Sequence, residues 1–368
     1  MRTSAPLARW IALATVVAVA WSASEASSLR TNRSRALVPL EEIVPGGPPP
    51  DGIPAIDRPR FEAPGEAGAW LKPQEPVLAL RVGDDARAYP LQILMWHEIV
   101  NDVVGGVPVA VTFCPLCNSA LVFERTVDGV VLDFGTSGML YKSDLVMYDR
   151  QSHSLWSQME GRAIVGDRAG ARLAPRPANT IAFAEWRRVH PGGKVLSRDT
   201  GHRRSYGINP YESYDEPLLG PFLYRGALDT RRPPKERVVG VAVGDVRRAY
   251  PFPLLEAHRV VHDTLDGQPI VIFYQPGTLS ALDEREIARS RPVGATSVFV
   301  PRVDGRSLTF EAAGDGVRDR ETGSLWNFFG VAERGPLAGR RLAPVTHVDA
   351  FWFAWAAFNP TTTVWTKP

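Results

Sequence analysis

Short apolar runs alternate along this chain with breaks rich in Gly and Pro, so its elements must be short and mostly strands. The apolar stretches 77–81 and 86–89 flank Gly83-Asp84 and predict a hairpin. Over 91–100, Ile93, Leu94, Ile99 and Val100 recur at helical spacing behind Pro90, a residue suited to opening a helix. Gly105-Gly106 predicts a turn, and the β-branched run 107–113 a strand. Residues 120–125 and 130–134 alternate about Asp128-Gly129 and predict a second hairpin. A helix carrying Phe183 and Trp186 is expected after Asn179-Thr180. The region 27–73 has little periodicity. Its stretch 46–54, with four prolines, must run extended because proline removes backbone donors, and it reads as an arm laid over the rest, with a floppy linker as the alternative.

Compared with itself, the chain is written twice. Val82-Gly83-Asp84 and Arg87-Ala88-Tyr89-Pro90 recur as Val243-Gly244-Asp245 and Arg248-Ala249-Tyr250-Pro251. In that register His97 falls on His258, Asp102 on Asp263, and Ser119-Ala120 on Ser280-Ala281. Asp149-Arg150 and Trp156 fall on Asp319-Arg320 and Trp326. The fold class expected is therefore α+β and strand-rich, with two homologous lobes from an internal duplication preceded by an extended N-terminal arm. The arm covers 27–73, lobe one 74–200, a Tyr- and Pro-rich connector 201–235, and lobe two 236–368. Each lobe is expected to have its own core.

Charge and the chain's start narrow the function classes. Lys and Arg number 42 against 40 Asp and Glu, with no dense basic patch, so a nucleic-acid partner is not expected. Arg2 and Arg9, the apolar run 10–20 and Ser24-Glu25-Ala26 read as a signal peptide over 1–26, which predicts a periplasmic or secreted protein. That apolar run is shorter than the ~20 residues a spanning helix needs, and no membrane span is expected in the mature chain.

The cysteines change the picture most. There are two, Cys114 and Cys117, three positions apart. A secreted fold held by disulfides would show several pairs at long spacing, so this pair reads as local chemistry. In the other copy Cys114 falls on Gln275 and Cys117 on Thr278, which assigns the chemistry to lobe one and makes lobe two a degenerate partner. Lobe one also carries six extra residues within 139–148, bringing Met139, Met147, Tyr141 and Tyr148. His97 survives in both copies, which suits a structural role as well as a ligand or base. Glu98 and Asn101 differ from Arg259 and His262 and gain as site candidates, whereas Asp149, Arg150 and Trp156 recur and read as an ion pair and a core ring. Tyr206, Tyr211 and Tyr214 are placed either to line a cleft between lobes or simply to pack.

The motifs Trp96-His97-Glu98, Asn101-Asp102, Cys114-Pro115-Leu116-Cys117, Met147-Tyr148-Asp149-Arg150 and Asp51-Gly52-Ile53-Pro54 resemble those of the bacterial family called domain of unknown function 3179. The resemblance covers most of the chain and implies an exported protein with this Cys pair; it implies no particular activity.

Three chemistries stay open for the pair. In the first, Cys114 and Cys117 bind a metal ion. No second Cys-x-x-Cys completes a zinc ribbon, while thiolates with thioether or imidazole suit copper(I). Copper is therefore the metal expected, with His97, Met147 and Met139 as added ligands, and zinc comes second. In the second, the pair exchanges disulfides with a redox partner protein, Cys114 attacking and Cys117 resolving. That chemistry wants a helix N-terminus behind the first thiol, whereas 118–125 reads as a strand. In the third, a non-enzymatic binding module carries a local disulfide. So short a loop would gain less than the ~3 kcal/mol of a 15-residue one. No Gly-x-Ser-x-Gly, His-Glu-x-x-His, phosphate loop or dinucleotide fingerprint competes.

Overall fold

The computed structural model describes residues 29–314 and 316–367, and strands dominate it. The predicted signal peptide, 1–26, lies outside the described residues. Among those described, no helix is long and apolar enough to cross a membrane.

Within 29–73, strand β1 (Ile43–Pro45) joins the edge of a five-stranded antiparallel sheet, and Ile56 bridges to Val100. The predicted hairpin forms from β2 (Pro76–Val82) and β3 (Asp85–Pro90), closed at Gly83-Asp84. Helix α1 (Leu91–His97) follows Pro90, then β4 (Ile99–Val104), β5 (Val107–Cys114) and β6 (Ser119–Glu124), three neighbours in one antiparallel sheet. The second sheet at the site is β1 beside β7 (Phe134–Tyr141) and β8 (Asp144–Asp149), extended by Leu155–Ser157 and Arg162–Val165. Strand Ala178–Ala182 then leads into α2 (Phe183–Val189), whose Phe183 and Trp186 are fully buried.

Three local expectations need correction. The helix predicted over 91–100 stops at His97, because Glu98 turns the chain at φ 58° into β4. Ile99 and Val100 are both fully buried although neighbours in a strand point to opposite faces; a strand covered on both faces loses its two-residue period and mimics a helical stripe. The Asp128-Gly129 turn exists but joins only Thr126–Val127 to Val130–Val131. β6 pairs with β5 instead, and Phe134 opens a strand of the other sheet. The helix carrying Phe183 also starts later, after a full strand.

The same element order runs through the second half: β9 (Arg237–Val243), β10 (Val246–Pro251), α3 (Phe252–His258), β11 (Val260–Leu265), β12 (Gln268–Gln275) and β13 (Ala295–Val300). Then come β14 (Phe310–Ala313), β15 (Gly316–Asp319), β16 (His347–Phe351) and α4 (Trp352–Phe358). The repeated residues do the same work in each half. Asp102 accepts from Arg87 and from the Tyr89 hydroxyl, both at 2.6 Å; Asp263 accepts from Arg248 at 2.6 Å and Tyr250 at 2.8 Å. Asp149 accepts the Trp156 indole N–H at 2.9 Å, as Asp319 does that of Trp326. Trp156 is thus the core ring expected, but Asp149 and Arg150 are not partners of one another: Arg150 pairs with Asp51 and Asp57 from 29–73. Register also moves one correspondence. Cys114 pairs with Ser119 and Gln275 with Ala295, so Ala295 stands where Ser119 does, and Ser280-Ala281 lie in the long connection 276–294.

Beside one apolar cluster confined to 239–365 and one to 38–165, two clusters run across both halves. One of these two joins Leu78, Val111, Cys114 and Trp156 to Val238, Val348, Phe351 and Trp352; the other joins Ile181 and Trp186 to Phe273, Phe299 and Trp326. Rings as large as these each remove ~150–250 Å² from water, so each half supplies much of the other's driving force.

Candidate metal centre

Cys114 closes β5, and the connection 115–118 returns the chain into β6. Pro115 fixes its own φ, the Cys117 amide donates to the Cys114 carbonyl at 3.3 Å, and the Asn118 amide to the Pro115 carbonyl at 3.2 Å. Asn118 takes φ 51°, a conformation Asn tolerates better than most residues. The turn therefore brings both cysteines to one spot, followed by a strand and not a helix. Both are free thiols, 1 % and 0 % exposed. The Cys117 carbonyl accepts the Phe351 amide at 2.9 Å, so the second half braces the turn.

The third donor comes from a hairpin that is longer in the first half than its counterpart in the second. β7 and β8 pair over 134–149, while β14 and β15 pair over 310–319, a hairpin six residues shorter. The extra length ends at Lys142-Ser143, with φ 53° and 66°, and delivers Asp144 to the cysteines. The two sulfurs and a carboxylate oxygen of Asp144 all lie within 4.8 Å of one another, and Cys117 Sγ is 3.5 Å from the Ser143 carbonyl. Asp144 Oδ2 accepts the Met159 amide at 2.9 Å, but Oδ1 is buried with no hydrogen-bond partner.

Electrostatics follow from burial. Desolvation pushes both thiols up, with the Asp144 charge adding to the effect. Burial also pushes Asp144 up to about 7 and Glu98 up to about 8, the latter aided by Asp144. Without an ion, burial thus favours the protonated form of each member of the trio. Two sulfurs and a carboxylate oxygen gathered in a dry spot form a cluster that can hold a metal ion, which would replace those protons.

The other predicted site residues lie around this trio. His97 is buried with both ring nitrogens engaged, Nδ1 with the Pro54 carbonyl at 2.7 Å and Nε2 with the Tyr206 hydroxyl at 2.6 Å, and burial lowers it to about 4. It ties the N-terminal segment to the connector. Met147 is fully buried in the apolar cluster that includes both cysteines, three residues along β8 from Asp144 and so on the opposite strand face. Met139 sits on β7 opposite Val146 and lines a cavity of about 250 Å³ beside the Cys turn. Glu98, Leu116, Tyr211 and Tyr214 line it too. Asn101 spans Phe134 with both side-chain atoms and reaches Asp57, a structural tie between β4 and β7.

Asp144 is the residue that sequence reasoning missed. The signal was present, since it lies inside the six-residue extension, but the methionines of that extension drew the ligand assignment.

A family model described as "Protein of unknown function (DUF3179)" matches residues 50–362. No curated protein and no solved structure matches the chain.

Proposed function

The chain belongs to the family described as protein of unknown function (DUF3179), and from its Cys-Pro-Leu-Cys turn we propose that it is a metal-binding protein whose ion is held by Cys114, Cys117 and Asp144. The observation that carries this is the orphaned Asp144 Oδ1, buried against two buried thiols. An unpaired buried acceptor costs ~1–3 kcal/mol, and a cation held among all three donors would remove that penalty.

The donor set bears on the ion. Two thiolates and a carboxylate carry three negative charges, so a divalent ion leaves one net charge buried and copper(I) leaves two. Zinc accepts sulfur and carboxylate oxygen together, which makes it the better match. Copper(I) is the second reading, favoured by the adjacent thiol pair and its dry surroundings. Three protein ligands is the number found where zinc keeps a position for water or substrate, at which it would act as a Lewis acid.

Disulfide exchange draws less support. Its attacking thiol needs exposure and a lowered pKa, whereas Cys114 is buried, pushed up, and followed by a strand. Export is part of the proposal, resting on the character of 1–26; a buried, metal-ligated pair would resist oxidation in a disulfide-forming compartment. So is the two-copy origin: the second copy has Gln275 for Cys114 and a hairpin too short to supply an Asp144.

The test is elemental analysis of chelator-free protein, with thiols counted on the same sample. About one zinc or copper per chain, absent from Asp144→Asn and from the Cys114→Ser/Cys117→Ser pair, is the expected result. Wild-type protein that takes up neither ion when titrated with them under reducing conditions would sink the proposal.

A further inference from the structure

The cavity beside the Cys turn has a chemical character of its own. Its volume is about 250 Å³, at the small end of ligand sites, and its wall is apolar and aromatic apart from the hydroxyls of Thr136, Tyr211 and Tyr214 and one carboxyl, that of Glu98. Glu98 as a residue is 9 % exposed, and its carboxyl makes no hydrogen bond and no ion pair within the described residues. Asp144 acts on it electrostatically; no cation does, and no Lys, Arg or His is among the lining residues. A carboxyl on a mostly buried residue that bonds to no other residue takes its hydrogen bonds from whatever fills the cavity it faces.

The backbone conformation here belongs to the fold, since Arg259 occupies the equivalent place at φ 64° against 58° for Glu98. The carboxyl belongs to the first half alone. The walls opposite it are built by long-range contacts. The Tyr214 hydroxyl accepts the Phe222 amide at 3.1 Å, and the Phe222 carbonyl accepts the Ser143 hydroxyl, so the connector folds onto the hairpin tip and closes the cavity with rings.

We propose that this cavity binds a small organic amine, its ammonium held by Glu98 and its apolar body lying against Tyr211, Tyr214 and Phe222. An ammonium supplies both the missing hydrogen-bond donors and the missing positive charge, and aromatic faces add cation–π attraction. An anion would meet no compensating cation and would oppose the ionisation of Glu98 that an ammonium favours. Leu116 forms part of the same wall, so the bound amine lies against the Cys-Pro-Leu-Cys turn. This inference uses the cavity and Glu98 and does not rest on the metal reading.

The test uses the full chain with benzylamine, benzyl alcohol and benzoate as probes, titrated by calorimetry, with metal content scored on the same samples. Benzylamine is expected to bind one to one, at least tenfold more tightly than benzyl alcohol, with benzoate not binding. Glu98→Gln, a near-isosteric change, is expected to lose the preference for the amine while benzyl alcohol binding, followed by ligand-observed NMR, is retained. The proposal is overturned if the alcohol binds as tightly as the amine, if the variant keeps the amine preference, or if neither probe binds wild-type protein. Amine binding in a metal-free protein would leave this inference standing and count only against the metal centre.

Discussion

Asp144 gives one carboxylate oxygen to the Met159 amide at 2.9 Å and leaves the other buried, unbonded, against Cys114 and Cys117. Asp144→Asn keeps the shape and the Met159 bond but removes the charge. It should lower metal affinity by at least the ~10–100-fold that loss of an outer-shell partner costs, with the fold intact. Competition against a chromophoric chelator measures this, and unchanged affinity would strike Asp144 from the ligand set.

Cys114→Ser/Cys117→Ser should abolish stoichiometric metal while the far-ultraviolet circular dichroism stays native. Each buried hydroxyl without a good partner costs ~1–3 kcal/mol, so the midpoint of denaturation should fall without loss of cooperativity. A double variant that cannot fold even under stabilising conditions would make the pair structural.

Thiol reactivity separates a buried metal site from an exchange site. In the metal-free protein at neutral pH, alkylation of Cys114 and Cys117 should be at least tenfold slower in native than in denaturing buffer. Both sulfurs are buried, and each unit by which a thiol is pushed up removes about tenfold of its thiolate. Rapid native-state modification of Cys114 would restore the exchange mechanism.

The Glu98 contribution to the stability of the metal-free protein should fall as pH rises between about 4.5 and about 8, its ordinary and buried values, against the opposite contributions of His97 and His190, which burial lowers to about 4. The folded state keeps the proton that the unfolded chain has released. The contribution is therefore complete below the lower value and lost as pH passes the upper one, with a slope of at most ~1.4 kcal/mol per unit from this group. Asp144 acts with the same sign between 3.8 and about 7. Denaturant titrations at several pH values should show a shallower decline for Glu98→Gln, and an unchanged slope would contradict the assignment.

Trp352 is fully buried in the cluster that contains both cysteines, its indole N–H donating to the Asp229 carbonyl at 2.9 Å. Trp352→Ala should destabilise the whole chain by ~3–5 kcal/mol in a single transition. Two separable transitions would mean that the halves fold independently.

Some of this molecule was legible along the chain because it is decided within a few residues. The β2–β3 hairpin needs only Gly83-Asp84 between two apolar runs, and β5 needs only its β-branched residues. That a strand follows the Cys turn was equally local, since 119–124 carries strand residues and no helical stripe. The strand-rich class follows from the same patterns.

What lay beyond local pattern was each position where distant segments decide. α1 ends at His97 because β4 is buried on both faces, and that covering comes from other parts of the chain. Arg150 meets Asp51 and Asp57, nearly a hundred residues earlier, where neighbouring Asp149 had seemed its natural partner. The donor trio shows the limit most clearly. Cys114 and Cys117 meet through a turn that can be read from four residues, whereas Asp144 reaches them only because a lengthened hairpin of one sheet folds over the end of another. Spacing along a strand tells which face a side chain takes; the distance between two sheets is set by how the whole core packs, and that is a property of the folded molecule.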